Sequence, residues 1–290
     1  MMNPIAAFRG MFADLLRLPT EELVLRLTLL TLLLHGSSET WLDVALQVLC
    51  GMMLVSRNHF ASPGLWIAVS SFIWIINATD WLWIDNHKFL MSYWVLACTV
   101  AVLSKAPMQV LRWNGKVLVG LCFGFATLWK LLAGQYWNGD FMVYTLLVDG
   151  RMEFIANSLA GIPKADLAQS RLLEDTIGLL PNEQLQTSLP ITERLRFVAL
   201  GMSWWTLLIE AATAVLFLVK SPISNRWRDL VLLAFVASTY VFVPVLGFGY
   251  ILTIMGLASC PPERTMIRTV YLAVLVILQL GRLPWERLLS

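Results

Sequence analysis

Charge is what this chain has little of. Of 290 residues, 14% are Asp, Glu, Lys or Arg against 58% hydrophobic, and the mean hydropathy is +0.70. A soluble domain needs a charged surface, so the deficit excludes an ordinary soluble globular protein. The formal net charge of +2, carried by basic residues scattered along the connections, excludes a nucleic-acid partner. Cysteine is sparse too. Cys50, Cys98, Cys122 and Cys260 form no C-x-x-C pair and three lie inside apolar runs, so neither a disulfide scaffold nor a zinc site is expected. No metal-ligand constellation, phosphate-binding glycine loop or nucleophile motif occurs, so the expected metal set is empty. The opening MMNPIAAFRGMFADLLRLPTEE has no small-residue cleavage site before the first long apolar run, and residues 1–21 read as a cytoplasmic amphipathic lead-in, not a cleaved signal.

What the chain has in quantity is apolar runs near membrane-spanning length, with 13 tryptophans, many near the ends of those runs. The expected fold is all-α: a polytopic integral membrane bundle of about eight or nine transmembrane helices, filling 22–290 as one domain. The spans are read at Leu23–His35, Trp41–Val55, Gly64–Ala78, Phe89–Leu103, a fifth within Lys116–Phe141, Phe197–Val219, Asp229–Cys260 and Thr265–Leu280. Pro107 stops helix continuation ahead of a basic loop, Lys105–Lys116. Asp229–Cys260 is too long for one untilted span, with Pro244, Gly247 and Gly249 where a kink or break would fall. Between spans five and six lies a long polar interval, 138–196, in which ADLAQSRLLEDTIGLL has the spacing of an amphipathic surface helix.

Basic residues set the orientation. With a cytoplasmic N-terminus, Arg57, Lys105, Arg112, Lys116, Lys220, Arg226 and Arg228 fall inside, and the short outside loops hold only Lys88. Lys130 and His87 then share the extracytoplasmic face, with Asp80 and Asp85 beside them and Glu39 and Asp43 near enough to join. An ionisable group at membrane depth costs about 3 kcal/mol on insertion scales, so Lys130 is either functional or a lysine whose ammonium snorkels to the interface. Glu210, near the middle of its span, is read as protonated and bonded to a neighbouring helix, as paired with Arg26 or another basic group, or as catalytic. Asp80 and Asp85 flank a helix start, where aspartates serve as caps.

Two motifs carry a family resemblance. DNHKFLMSYWVLACTV, Asp85–Val100, is similar to the asparagine-histidine helix opening, and WKLLAGQYWNGDFM, Trp129–Met142, to the lysine-then-tryptophan-glycine segment, of the HTTM (horizontally transferred transmembrane) domain family. That family includes the membrane region of vitamin K-dependent gamma-carboxylases. A looser third stretch, TYVFVPVLGFGYILTIMGLASC, Thr239–Cys260, resembles the family's late segment, and the resemblance runs from about residue 20 to 260. It implies that Lys130 is the base that deprotonates a reduced vitamin K-type naphthoquinone, with His87 as a neighbouring catalytic group. Asp85, Asn86, Trp129, Trp137, Glu210 and Tyr240 would line the substrate site. Trp129, Leu131 and Trp137 would partly desolvate the amine and offer apolar walls to a quinone entering from the bilayer.

The departures from the family are specific. The chain ends soon after the membrane region, so carboxylation of a protein substrate is not expected. Tyr240 stands where the family often has histidine, and one or two extra residues separate Lys130 from Trp137, enough to turn the indole onto another helix face. Three readings stay open: a membrane enzyme acting on a lipid-soluble quinone, a non-catalytic subunit binding a partner protein through 138–196, and a small-molecule transporter with its site at Glu210 and 244–249. Few cysteines and no cleaved signal suit a bacterial inner membrane.

Overall fold

Proline and glycine punctuate the chain into helices. Prolines 63, 107 and 222 each stand at the first residue of a helix, where the missing N–H would be unpaired in any case. The computed structural model describes residues 14–15, 17–35, 40–56, 59–79, 81–82, 84–177, 190–240 and 245–280. Among them the chain is all-helical, with no strand: α1 Thr20–His35, α2 Trp41–Val55, α3 Pro63–Thr79, α4 Asn86–Leu103, α5 Pro107–Ala133, α6 Asp140–Val148, α7 Glu153–Ser158, α8 Lys164–Ile177, α9 Glu193–Leu218, α10 Pro222–Tyr240, α11 Leu246–Ser259 and α12 Thr265–Leu280. A short 3-10 turn, Gly150–Met152, precedes α7.

Several expected boundaries hold to the residue, as at Trp41–Val55 and Thr265–Leu280. One fails: the expected basic loop 105–116 is helical from Pro107 on, because a proline that ends one helix is well placed to begin the next. The long stretch 229–260 falls into two helices, α10 and α11, on either side of an interval containing Pro244, which lies outside the described residues. Asp80, Glu39, Arg57 and most of the 1–21 lead-in also lie outside them.

α11 is the hub. From Gly249 to Ser259 every residue is buried, and the helix packs against α5, α1, α12, α10 and α4. A helix apolar all round fits such a position. Close approach is secured by small residues: a Cβ on Gly115 of α5 would stand 2.8 Å from the Met255 carbonyl oxygen of α11. Around this hub lies one core, in which Trp66, Trp94 and Tyr271 are the largest fully buried side chains.

A second, separate core belongs to a small lobe. Met142, Leu146, Leu147, Ile155, Ile162 and Leu167 of α6–α8 pack with Leu195, Ala199 and Leu207 of the N-terminal half of α9. The described residues of the interval 138–196, which leave out 178–189, therefore form a helical unit rather than an open loop, and the expected amphipathic helix begins as α8. Two helices, α5 and α9, are long and apolar enough to cross a membrane, while α2, α3, α11 and α12 are apolar but shorter, at 14 to 17 residues. In its most apolar stretch only 17% of α5 is buried, the reverse of a soluble core helix.

Candidate functional site

The site follows from how α5 meets α9. The two run antiparallel in extensive contact. A Cβ on Gly120 would stand 2.5 Å from Leu218, one on Gly124 would stand 3.9 Å from Ala214, and Lys130 reaches Glu210. Farther along, Trp137 meets Trp204 edge-to-face with centroids 5.2 Å apart. Each step forward on α5 is matched by a similar step back on α9, so the helices hold one register throughout. They are also staggered: Lys130 lies one turn from the end of α5 at Ala133, whereas Glu210 lies 17 positions into α9, a rise of about 26 Å. Glu210, mid-span by sequence, is thus level with the end of α5, and the N-terminal half of α9 continues past that end into the lobe.

Lys130 is the basic group that Glu210 finds. Its Nζ donates to both carboxylate oxygens at 2.7 Å, and the two side chains are 15% and 8% exposed. The Tyr136 ring lies under the ammonium at 5.4 Å, a cation–π contact. Arg26 is engaged elsewhere, donating to Glu22 at 2.8 Å and lying over the Phe60 ring. The helix ends at Gly134, whose φ of 71° only glycine adopts without strain, and the chain turns so that Tyr136 comes back beneath the pair. Charge-assisted contacts this short are strong, and removing one partner would leave an isolated buried charge.

Three further groups lie within electrostatic range of Glu210: Tyr136, Cys122 and Tyr240. Tyr240 closes α10, packs edge-on against Phe235 and Phe248, and is 5% exposed. Its hydroxyl is buried with no hydrogen-bond partner among the described residues. A buried unpaired hydroxyl costs free energy that a polar occupant would recover.

His87 is not part of this arrangement. It sits in the first turn of α4, in a separate cavity of about 70 Å³ lined also by Thr31, Asp43, Asn77, Lys88 and Gly247. A Cβ on Gly247 would fall 2.9 Å from its Nε2, so the imidazole is wedged against the start of α11 while Lys130 is turned toward α9. Sharing one end of the bundle does not bring them together. That cavity has room for water but not for a quinone. Asn77 crosses it to donate to Ser92 Oγ at 2.6 Å and to the Lys88 carbonyl at 3.1 Å. Asp43 is there as expected of the first outside connection, but as a cap: it accepts from Thr40 while its own N–H donates to Thr40 Oγ1.

The remaining expected positions are peripheral. Asp85 is 74% exposed and 3.9 Å from His87 Nδ1, and it makes no side-chain cap hydrogen bond on α4; Asn86 is exposed. Trp129 is 72% exposed, so it does not wall in its neighbour Lys130; consecutive helical residues point about 100° apart. Trp137, half-exposed, donates its indole N–H to the Leu131 carbonyl at 3.0 Å. Compared with protein-family models, with curated proteins and with solved structures, the chain gives no significant match. Its function must be read from its own residues. Sequence reasoning missed Tyr136, and its only signal was the glycine two residues before it, marking a turn.

Proposed function

We propose that the chain is a polytopic membrane protein of HTTM type, with about eight or nine spans, that binds a reduced, quinol-like lipid-soluble substrate at the Lys130–Glu210 pair and takes a proton from it. The observation that carries this is the pair itself: two opposite charges, nearly buried, joined at 2.7 Å between the two membrane-length helices. Ionisable groups in such a setting are retained for work more often than for stability. The motif resemblance around Trp129–Met142 supports the same lysine.

The geometry favours one division of roles within the pair. An ammonium that donates to both carboxylate oxygens has no lone pair with which to accept a proton, but the carboxylate has. A substrate hydroxyl would break its O–H bond, leave the proton on a Glu210 oxygen, and present its new oxyanion to the Lys130 ammonium. Lys130 becomes the base itself only after passing its own proton to Glu210. The Tyr136 ring, 5.4 Å from the ammonium, would floor the site, and Tyr240 offers a buried hydroxyl without a partner among the described residues.

The membrane reading rests on surface chemistry. Exposed Trp41, Trp81, Trp129 and Trp205 fall at the end expected outside and Trp113 and Trp227 at the end expected inside, as two interfacial belts would. Apolar side chains such as Leu121, Phe125 and Leu208 are exposed between them, which lipid contact would satisfy. The N-terminus would be cytoplasmic and the lobe extracytoplasmic, in a bacterial inner membrane.

A second reading has one observation of its own. Phe154, Leu172 and Phe197 on the lobe and its supporting helix are 67 to 79% exposed, suiting a subunit that docks a partner protein there. Native mass spectrometry of the gently purified protein separates the two. A co-purifying quinone present in the wild type and absent from Lys130→Met and Glu210→Gln supports the substrate site. A co-purifying protein retained in all three, with no small molecule, supports the subunit.

A further inference from the structure

At the other end of the same helix pair the charges are not balanced. Lys116 lies 14 residues before Lys130 on α5, about 21 Å away along the axis. Here α5, the end of α9 and the start of α10 enclose a cavity of about 410 Å³, lined by Arg112, Lys116, Lys220 and Arg228 together with Trp113 and Asn225. No carboxylate lines it. Among the described residues, Arg112, Lys116 and Lys220 take part in no ion pair.

Arg228 is the most committed of the four. It is 3% exposed, donates to the Ser259 carbonyl at 2.7 Å and to Asn225 Oδ1 at 3.3 Å, and its Nε is buried without a hydrogen-bond partner. The nearest carboxylate, Asp229, is 3.7 Å from that Nε, and its oxygens are used by Arg264 at 3.1 Å and Tyr271 at 3.3 Å. The Nε of Arg112 is likewise buried and unpaired. Four cations line one cavity; only Arg228 has a carboxylate within ion-pair distance, and Asp229 is shared with Arg264, so among the described residues positive charge exceeds negative around the cavity.

We infer that this cavity binds a phosphate group. A tetrahedral oxyanion with several acceptor oxygens can engage the Arg112 guanidinium and the Lys116 and Lys220 ammonium groups at once, while the committed Arg228 adds its charge from behind. Beside the cations the lining is apolar, with Trp113, Val117, Leu216 and Phe217. That amphipathic lining accommodates an acyl chain behind the phosphate, so a phospholipid headgroup and a soluble phosphate are the two sources of one chemistry. The site is independent of the Lys130–Glu210 reading.

The test uses the full chain. Retention of phosphatidylglycerol against phosphatidylcholine is measured by native mass spectrometry, and thermal stabilisation by inorganic pyrophosphate is measured in lipid-free detergent. Arg112→Gln/Lys116→Gln leaves the structural Arg228 in place and removes two unpaired cations, so folding is kept. Arg226→Gln, exposed and outside the cavity, controls for general surface charge. The expected result is at least a tenfold loss of anion retention in the double variant, little change in the control, and recovery in Lys116→Arg when Arg112 is intact. A pyrophosphate shift lost in the double variant identifies a soluble phosphate; retained phosphatidylglycerol without that shift identifies a headgroup. Equal binding by wild type and double variant, an equal loss in Arg226→Gln, or no preference for the anionic lipid together with no pyrophosphate shift, overturns the inference.

Discussion

The two ends of the α5–α9 pair treat positive charge in opposite ways. At one, Lys130 is closed onto Glu210 and the local charge sums to zero. At the other, Arg112, Lys116 and Lys220 have no ion-pair partner among the described residues. The difference lies in register. α9 brings a carboxylate to the level of Lys130, whereas at the level of Lys116 it brings Leu216 to Lys220. A compensated pair can exchange a proton internally while holding its net charge, and an uncompensated cluster can hold an anion. On the proposed readings, one helix pair offers two kinds of chemistry because α5 and α9 bring an acid to only one of these two ends.

The sharpest way to break this contrast is to remove one charge from the closed end. Lys130→Met or Glu210→Gln leaves the partner buried without its opposite charge, and each is expected to destabilise the protein by about 3 to 5 kcal/mol. Lys130→Met/Glu210→Met should lose less than either single change, because no lone charge remains. Thermal melts of the three in one detergent check this, and additive losses would show that the pair is not coupled.

A smaller effect tests the register that connects the two ends. Gly120→Leu overfills the contact with Leu218 and should cost about 1 to 3 kcal/mol, with part of the loss recovered by Leu218→Ala. Tyr240→Phe asks whether the unpaired hydroxyl faces an occupant. Stability should hold or rise by up to about 1 kcal/mol, since a buried unsatisfied group is removed, while quinol binding weakens. Unchanged binding in that variant would remove Tyr240 from the site.

The smallest effect lies in the lobe, whose ion pairs are exposed. Arg151 holds the Asp149 carboxyl below its ordinary value of 3.8, and Arg171 holds that of Glu153 below its ordinary value of 4.5. A lowered folded-state value means that this stability is present above the ordinary carboxylate range and is lost as pH falls through the folded value. Lobe protection in hydrogen exchange should therefore be flat from neutral pH down to about 4 and fall below it. Asp149→Asn/Glu153→Gln should flatten that fall, and a dependence centred near neutral pH would contradict the assignment.

Much of the helical framework is legible in the sequence because apolar runs and their breakers are local signals. Trp41–Val55 ends against polar residues on both sides, and Pro222 opens its helix visibly. The lobe is obscured by its polar average: Leu146, Leu147, Ile155 and Leu167 are spaced among charges and become a core only when folded against α9. Lys130 and Glu210 are each conspicuous as charges in apolar surroundings, but their pairing depends on which residues of α5 and α9 face each other, and Gly120 and Gly124 decide that. The sequence expectation puts His87 and Lys130 at one end, but the two side chains have separate surroundings. Orientation fixes only height along the bundle, and the neighbours of each side chain are fixed by the faces their helices present.

The most direct measurement of the central claim is the exchanged pair, Lys130→Glu/Glu210→Lys, tested for both melting temperature and quinol binding. A substrate site requires the ammonium on α5, above Tyr136, and the carboxylate on α9. The account predicts that the exchange recovers most of the stability lost in the single variants and none of the quinol binding. Recovery of both would show that the pair fastens two helices and takes no part in a reaction.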